Sequence, residues 1–255
     1  GMGASIEAQA HRAWMLPSAT VLSGENAWIT VDGAISNNLF YFEHHPLQLD
    51  NLEILSPSGK RVEAQNPARG KYRSVFDVEL AEEGTYTLQN RNQGVFGRYT
   101  LDGEMKRWRG SVDEIGQIPS AAEEVRLSEV DSRMQVFVTK GAPTDANFKT
   151  TGQGIELVPV THPNDLFTGE PVEFGFLLDG EPAADLEVTL IRHGIRYRDQ
   201  VDEISVKTDA KGQINLEFSE PGMYWLEAEA EQDSKLLEGA KRRLSYSATL
   251  EVLPL

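Results

Sequence analysis

Along most of the chain, apolar and polar residues alternate in short runs closed by turn residues. Phe76-Asp77-Val78-Glu79-Leu80 sets apolar against acidic at every step, which predicts a strand with one face in a core and one in water. Ala27 to Val31 is a β-prone run closed by Asp32-Gly33, and Asn38 to Phe42 is another. Leu52 to Leu55 alternates and precedes the turn cluster Ser56-Pro57-Ser58-Gly59. Later, Val172 to Leu178 leads into an Asp-Gly turn, Leu186 to Gly194 reads as the next strand, and Ser245 to Leu255 closes the pattern at the C-terminus.

An internal repeat organises these runs. Phe76 to Leu88 (FDVELAEEGTYTL) aligns without a gap on Ile214 to Leu226 (INLEFSEPGMYWL), so that Phe76, Val78 and Leu80 match Ile214, Leu216 and Phe218, Gly84 matches Gly222, and Tyr86 matches Tyr224. A strand, a glycine turn and then x-Tyr-x-Leu is the pattern of the corner in immunoglobulin-like domains where a tyrosine hydroxyl bonds back to nearby backbone. Tyr86 and Tyr224 are expected to be such corners. Between the copies, Ile118 to Leu127 reads as a short helix with Ser120 as N-cap and acids in its first turn. Met134 to Val138 reads as a strand, and Gly141 to Gly154 as a polar, flexible linker.

The expected fold is all-β: two tandem immunoglobulin-like antiparallel β-sandwich domains with a short helical insertion. The first domain is expected over residues 11–150 and the second over residues 151–255. Residues 1–10 are set apart as a tag scar and signal-peptide remnant, because Gly1 precedes Met2 and Ala8-Gln9-Ala10 is an A-x-A cleavage pattern directly before the first patterned segment. The expectation is export to the periplasm with a mature chain beginning at His11.

Charge and composition narrow the function classes. The 255 residues carry 40 acidic and 24 basic side chains, a net charge of −16. That balance disfavours nucleic acid and anionic membrane surfaces, which need a basic face. Cysteine is absent, which excludes disulfides, thiolate metal sites and cysteine nucleophiles. No apolar run approaches the roughly 20 residues of a transmembrane helix.

Three stretches resemble a bacterial periplasmic family of unknown function formerly labelled a nickel-uptake transporter component. They are His11 with Trp14, Met15, Leu16 and Pro17; Gly152 to Pro182, where His162-Pro163 stands in place of the more usual Asn-Pro; and Thr208 to Ala230. The last two also resemble carboxypeptidase-regulatory-like sandwiches, so they speak to fold more than to function.

Five histidines are present, with no H-E-x-x-H spacing. The candidate metal ligands are His11, His44 and His45. If the chain is cleaved before His11, its free amine and Nδ1 form a chelate ring suited to nickel, copper or cobalt. His44 and His45 follow Glu43; adjacent strand residues point to opposite faces, though Pro46 favours a turn there. Arg192 to Gln200 gathers three arginines with His193 and Tyr197, which reads as a solvated hairpin connection. No nucleophile elbow, phosphate loop or dinucleotide fingerprint occurs, so a non-enzymatic role is expected. The leading reading is a periplasmic binding protein for a transition-metal cation. The alternatives are a structural or protein-interaction module of adhesion or assembly type, and a carbohydrate-binding accessory protein using Trp28, Trp108 or Trp225.

Overall fold

A computed structural model of the protein describes residues 12–36, 45–193 and 203–255. The expected strand at Asn38 to Phe42 lies outside them. In chain order the first strands are β1 (Arg12–Pro17), β2 (Val21–Leu22), β3 (Trp28–Ser36), β4 (His45–Pro46), β5 (Leu52–Leu55), β6 (Gln65–Arg69), β7 (Ser74–Glu79), β8 (Gly84–Leu101) and β9 (Glu104–Gly110). A single 3-10 helix (Val112–Gln117) follows, then β10 (Glu123–Lys140) and β11 (Ile155–Pro159). The remainder are β12 (Pro171–Leu178), β13 (Glu181–Pro182), β14 (Glu187–Arg192), β15 (Glu203–Lys207), β16 (Gln213–Glu217), β17 (Gly222–Asp233) and β18 (Lys241–Val252). The fold is all-β.

The strands form three sheets. The largest runs β15-β14-β17-β18-β10-β8-β5, with β2 on β10 and β9 on β8. A second runs β1-β3-β7-β6 with β4 on β3, and a third runs β11-β12-β13 with β16 on β12. Strands from both sides of residue 150 enter the large sheet. They are joined by a parallel pairing of β10 with β18, from Ser128 opposite Lys241 to Val136 opposite Thr249. The large sheet is therefore mixed, not purely antiparallel, since β2 also runs parallel to β10, while the pairings of the two smaller sheets are antiparallel. The C-terminal strand, which reads in sequence as the closing one, sits inside the large sheet between β17 and β10.

The two smaller sheets cover opposite faces of the large one. Strand alternation makes this visible on β10. Met134, Val136 and Val138 join a core with Met15, Ile29, Val31, Phe76 and Val78 of the second sheet. Phe137 points the other way, into a core with Phe174, Phe176 and Ile214 of the third sheet. In each repeat copy the chain leaves a small sheet (β7 or β16) and crosses to the large sheet (β8 or β17) at the aligned glycine.

Both crossings are tyrosine corners. The Tyr86 hydroxyl accepts from the Glu82 N–H at 2.8 Å. The Tyr224 hydroxyl donates to the Glu220 carbonyl at 2.7 Å. Gly84 and Gly222 adopt φ of 121° and 134°, a region that penalises any side chain. At Gly84 there is also no room, because a Cβ would lie 2.7 Å from Pro57 Cβ and 2.8 Å from Thr144 Oγ1.

Two expectations between the copies are overturned. Ile118 to Leu127 is not a helix: Pro119 to Ala122 is one turn, closed by Ala122 N–H to Pro119 O at 3.0 Å. Glu124 has a positive φ of 51°, and Arg126 and Leu127 pair with Arg98 and Gly97 on β8. Strand pairing overrides the local helical signal. The helical turn that does form lies upstream at Val112–Gln117, where the Glu114 carboxylate accepts from the Ser111 N–H at 2.9 Å. Nor is Gly141 to Gly154 a loose linker. Asn147, buried within it, donates to Ser56 O and Thr85 O at 3.2 and 2.9 Å, and the Gly154 N–H is held by Asp179 Oδ1 at 2.9 Å.

Removing either corner hydroxyl, by Tyr86→Phe or Tyr224→Phe, should cost about 1 kcal/mol. Gly84→Ala should cost more, because strain and steric conflict add. Urea midpoints measure all three, and a Gly84→Ala variant as stable as the parent would contradict this account of the crossing.

Candidate functional site

The start of β1 is where sequence and structure converge on one place. β1 is an edge strand of the second sheet, yet two side chains of the large sheet grip its backbone. Trp225 Nε1 donates to Ala13 O at 3.2 Å, and Thr249 Oγ1 donates to Met15 O at 2.7 Å. Trp14, Ala34, Ile191 and Trp225 form a small buried cluster there, flanked by Leu16 and Met223. The Arg12 guanidinium lies over the Trp225 ring, 5.8 Å from its centroid, a cation–π arrangement.

The face of β17 that carries Trp225 continues with Glu227 and Glu229, since residues two apart point to one side. Glu227 stands between Thr189 on β14 and Ser247 on β18, and Glu229 directly opposes Glu187. The Glu227 carboxyl is pushed up to about 8. Burial is the main cause, followed by the charge of Glu229 and a hydrogen bond with it, while Arg12 pulls in the opposite direction. At neutral pH Glu227 therefore keeps its proton, hydrogen-bonded to the neighbouring Glu229. In sequence these acids pass as the polar phase of Leu-Glu-Ala-Glu-Ala-Glu.

The expected metal ligands meet this place unevenly. His11 and His44 lie outside the described residues. The backbone of His45 pairs with Ile35 on β3, and Ile35 also pairs with Ala13. His45 is thus in the row of Ala13, two strands from it, about 10 Å across the sheet. His162 has another task. Its Nδ1 accepts from the Asn164 N–H at 3.0 Å, so Nε2 carries the proton and donates to Thr144 O at 2.8 Å. The ring also packs on Phe148, 5.2 Å between centroids. His193 directly follows β14, and burial lowers its pKa; Tyr197 and the rest of that arginine-rich connection lie outside the described residues. Among the described residues, no three His, Asp or Glu side chains gather as a metal-binding group.

Of the tryptophans considered as sugar platforms, Trp225 is buried (2% exposed) and cannot offer its face to a ligand. Trp28 is exposed (43%), and Trp108 is half-buried on β9. None of the described helices is long and apolar enough to cross a membrane.

The chain belongs to the family described as Domain of unknown function (DUF4198), whose model matches residues 8–232. Against curated proteins the sequence has no match. Among solved structures it is similar to a DUF4785 family protein from Legionella pneumophila (9% identity, TM-score 0.25), covering 84% of this chain and 50% of that one. The chain thus spans about half the length of the Legionella protein. It is also similar to the D0-D1 domain of intimin (10% identity, TM-score 0.22; 92% and 96% covered) and to chicken CNTN1 FN1-FN3 domains (8% identity, TM-score 0.20; 95% and 99% covered).

The acidic pair predicts a pH dependence. Glu227 titrates near 8 folded but near 4.5 when released. Between those values the native state binds the extra proton, so stability falls as pH rises through that window. The urea midpoint should drop between about pH 5 and about pH 8, and Glu227→Gln should flatten that part of the profile. An unchanged profile in the variant would contradict the assignment.

Proposed function

We propose that this protein is a non-enzymatic binding module of the bacterial cell envelope, exported to the periplasm and cleaved before His11, and that it takes a transition-metal cation, nickel, copper or cobalt, at the start of β1. The observation that supports this reading is the hydrogen-bonded pair Glu227–Glu229 beside Arg12. Residue 11 directly precedes Arg12 in the chain. A cleaved His11 brings an amine and an imidazole, and nitrogen donors of this kind suit those metals. Two carboxyl groups already sharing a site supply oxygen donors and negative charge, and a cation replaces their proton. His44 and His45 are the further donors to test.

A second reading, a protein-interaction module, draws support from β11. It is an edge strand of its sheet and leaves Val158 exposed, with Val160 just beyond it. Exposed edges of this kind invite strand addition by a partner. That reading leaves a metal titration flat.

Titration of a chain beginning at His11 with nickel(II) or copper(II), followed calorimetrically, separates the two. His11→Ala and Glu227→Gln should each weaken binding by about tenfold or more, and so should residues left in front of His11. Equal binding by all forms would overturn the metal reading.

A further inference from the structure

The far end of the molecule carries an unbalanced row of positive charge. Beyond Val95, β8 extends into a three-stranded arm with β9 on one side and the first residues of β10 on the other. No residue in Phe96 to Leu101, in β9, or in Glu123 to Val130 is fully buried. Within this arm Arg98 pairs directly with Arg107 on β9 and with Arg126 on β10. Paired residues point to the same side, so three arginines form one row, about 5 Å from strand to strand. Arg109, two positions from Arg107, faces the same way, its guanidinium 5.9 Å from the Phe96 ring centroid. All four arginines are exposed.

Like charges directly opposite one another destabilise a sheet, and this chain has acids to spare. Elsewhere it uses them: Arg61 meets Glu53 at 2.5 Å, Arg91 meets Asp131 at 3.0 Å, Arg242 meets Asp179 at 2.5 Å and Arg243 meets Glu231 at 3.6 Å. None of the four arm arginines has a carboxylate partner among the described residues. An acid stands at the row's end: the Glu124 carboxylate accepts from Thr100 Oγ1 at 3.4 Å.

We propose that this arginine ladder binds a compact polyanion bearing two or three neighbouring phosphate groups. Guanidinium forks match phosphate oxygens in pairs. Three of them within about 10 Å are denser than the same-side carboxylates of an extended acidic peptide, which recur about every 7 Å. A net charge of −16 repels broad anionic surfaces and long polyanions, and so favours a small ligand held locally. A free oligophosphate and the phosphorylated headgroup of a lipid share this chemistry.

The full chain, titrated with tripolyphosphate at low salt, tests the proposal. Wild type should bind, and the exposed triple variant Arg98→Gln, Arg107→Gln, Arg126→Gln should bind at least about tenfold more weakly, each tenfold being about 1.4 kcal/mol. Glu124→Gln should tighten binding, and Lys140→Ala, at the opposite end of β10, should leave it unchanged. Circular dichroism confirms that each variant is folded. Phosphatidylcholine vesicles doped with a bisphosphorylated glycolipid separate the sources: binding to vesicles as well as to tripolyphosphate supports the headgroup, and binding in solution alone supports a soluble ligand. Undiminished binding by the triple variant, no binding by wild type, or tighter binding of pentaglutamate than of tripolyphosphate would overturn the proposal.

Discussion

The parallel pairing of β10 with β18 is the contact on which the rest of the molecule depends. Parallel neighbours need a long crossover, and here the crossover is the whole second repeat. By returning to lie against β10, the last strand welds two sandwich-like units into one sheet. One consequence is that a single strand serves two cores, with Val136 and Val138 on one face and Phe137 on the other. A change in its register would move every one of these side chains into the wrong layer.

The seam between the units is polar rather than apolar. Arg133 is buried beside Glu156, with Gln89 Oε1 and Gln153 O accepting its protons at 3.1 and 2.9 Å. Asp131 receives Arg91 at 3.0 Å and stands 3.8 Å from Arg242. Tyr246, fully buried, donates to Gln135 at 2.8 Å. Burying charge is costly unless every partner is present, and removing one partner leaves the other stranded. The seam therefore specifies one docking of the units where apolar packing alone would allow several. The clamp of Trp225 and Thr249 on β1 does the same at the N-terminal end, and it brings Arg12 to the Glu227–Glu229 pair.

The strands and corners were legible in the sequence because their signals are local. Alternation at Phe76 to Leu80 reports one buried face, and the aligned glycine and tyrosine report the crossing. The Asp179-Gly180 turn, with φ of 50° and 86°, is readable in the same way. Non-local pairing was not legible. Glu123 to Leu127 has helical composition and becomes strand because β8 offers it a partner. Gly141 to Gly154 is polar because its side chains cap a polar face of the large sheet, and polarity in sequence looks the same whether solvated or buried. Trp225 read as a ligand platform because nothing local tells it that β1 will lie across it. Glu227, likewise, shifts because burial and its neighbour Glu229 act on it together, and its burial depends on pairing and packing that no local pattern shows.

The central claim, that β10 and β18 make one folding unit of both repeats, is tested most directly by native-state hydrogen exchange of the full chain. Backbone amides of Val136 and Val138 on β10, Leu88 on β8, and Leu226 and Ala248 on β17 and β18 should exchange through one shared opening, with the same free energy and the same denaturant dependence. If the amides of β17 and β18 open at a separate, lower free energy while Leu88 and Val138 stay protected, the repeats are independent domains and the account is wrong.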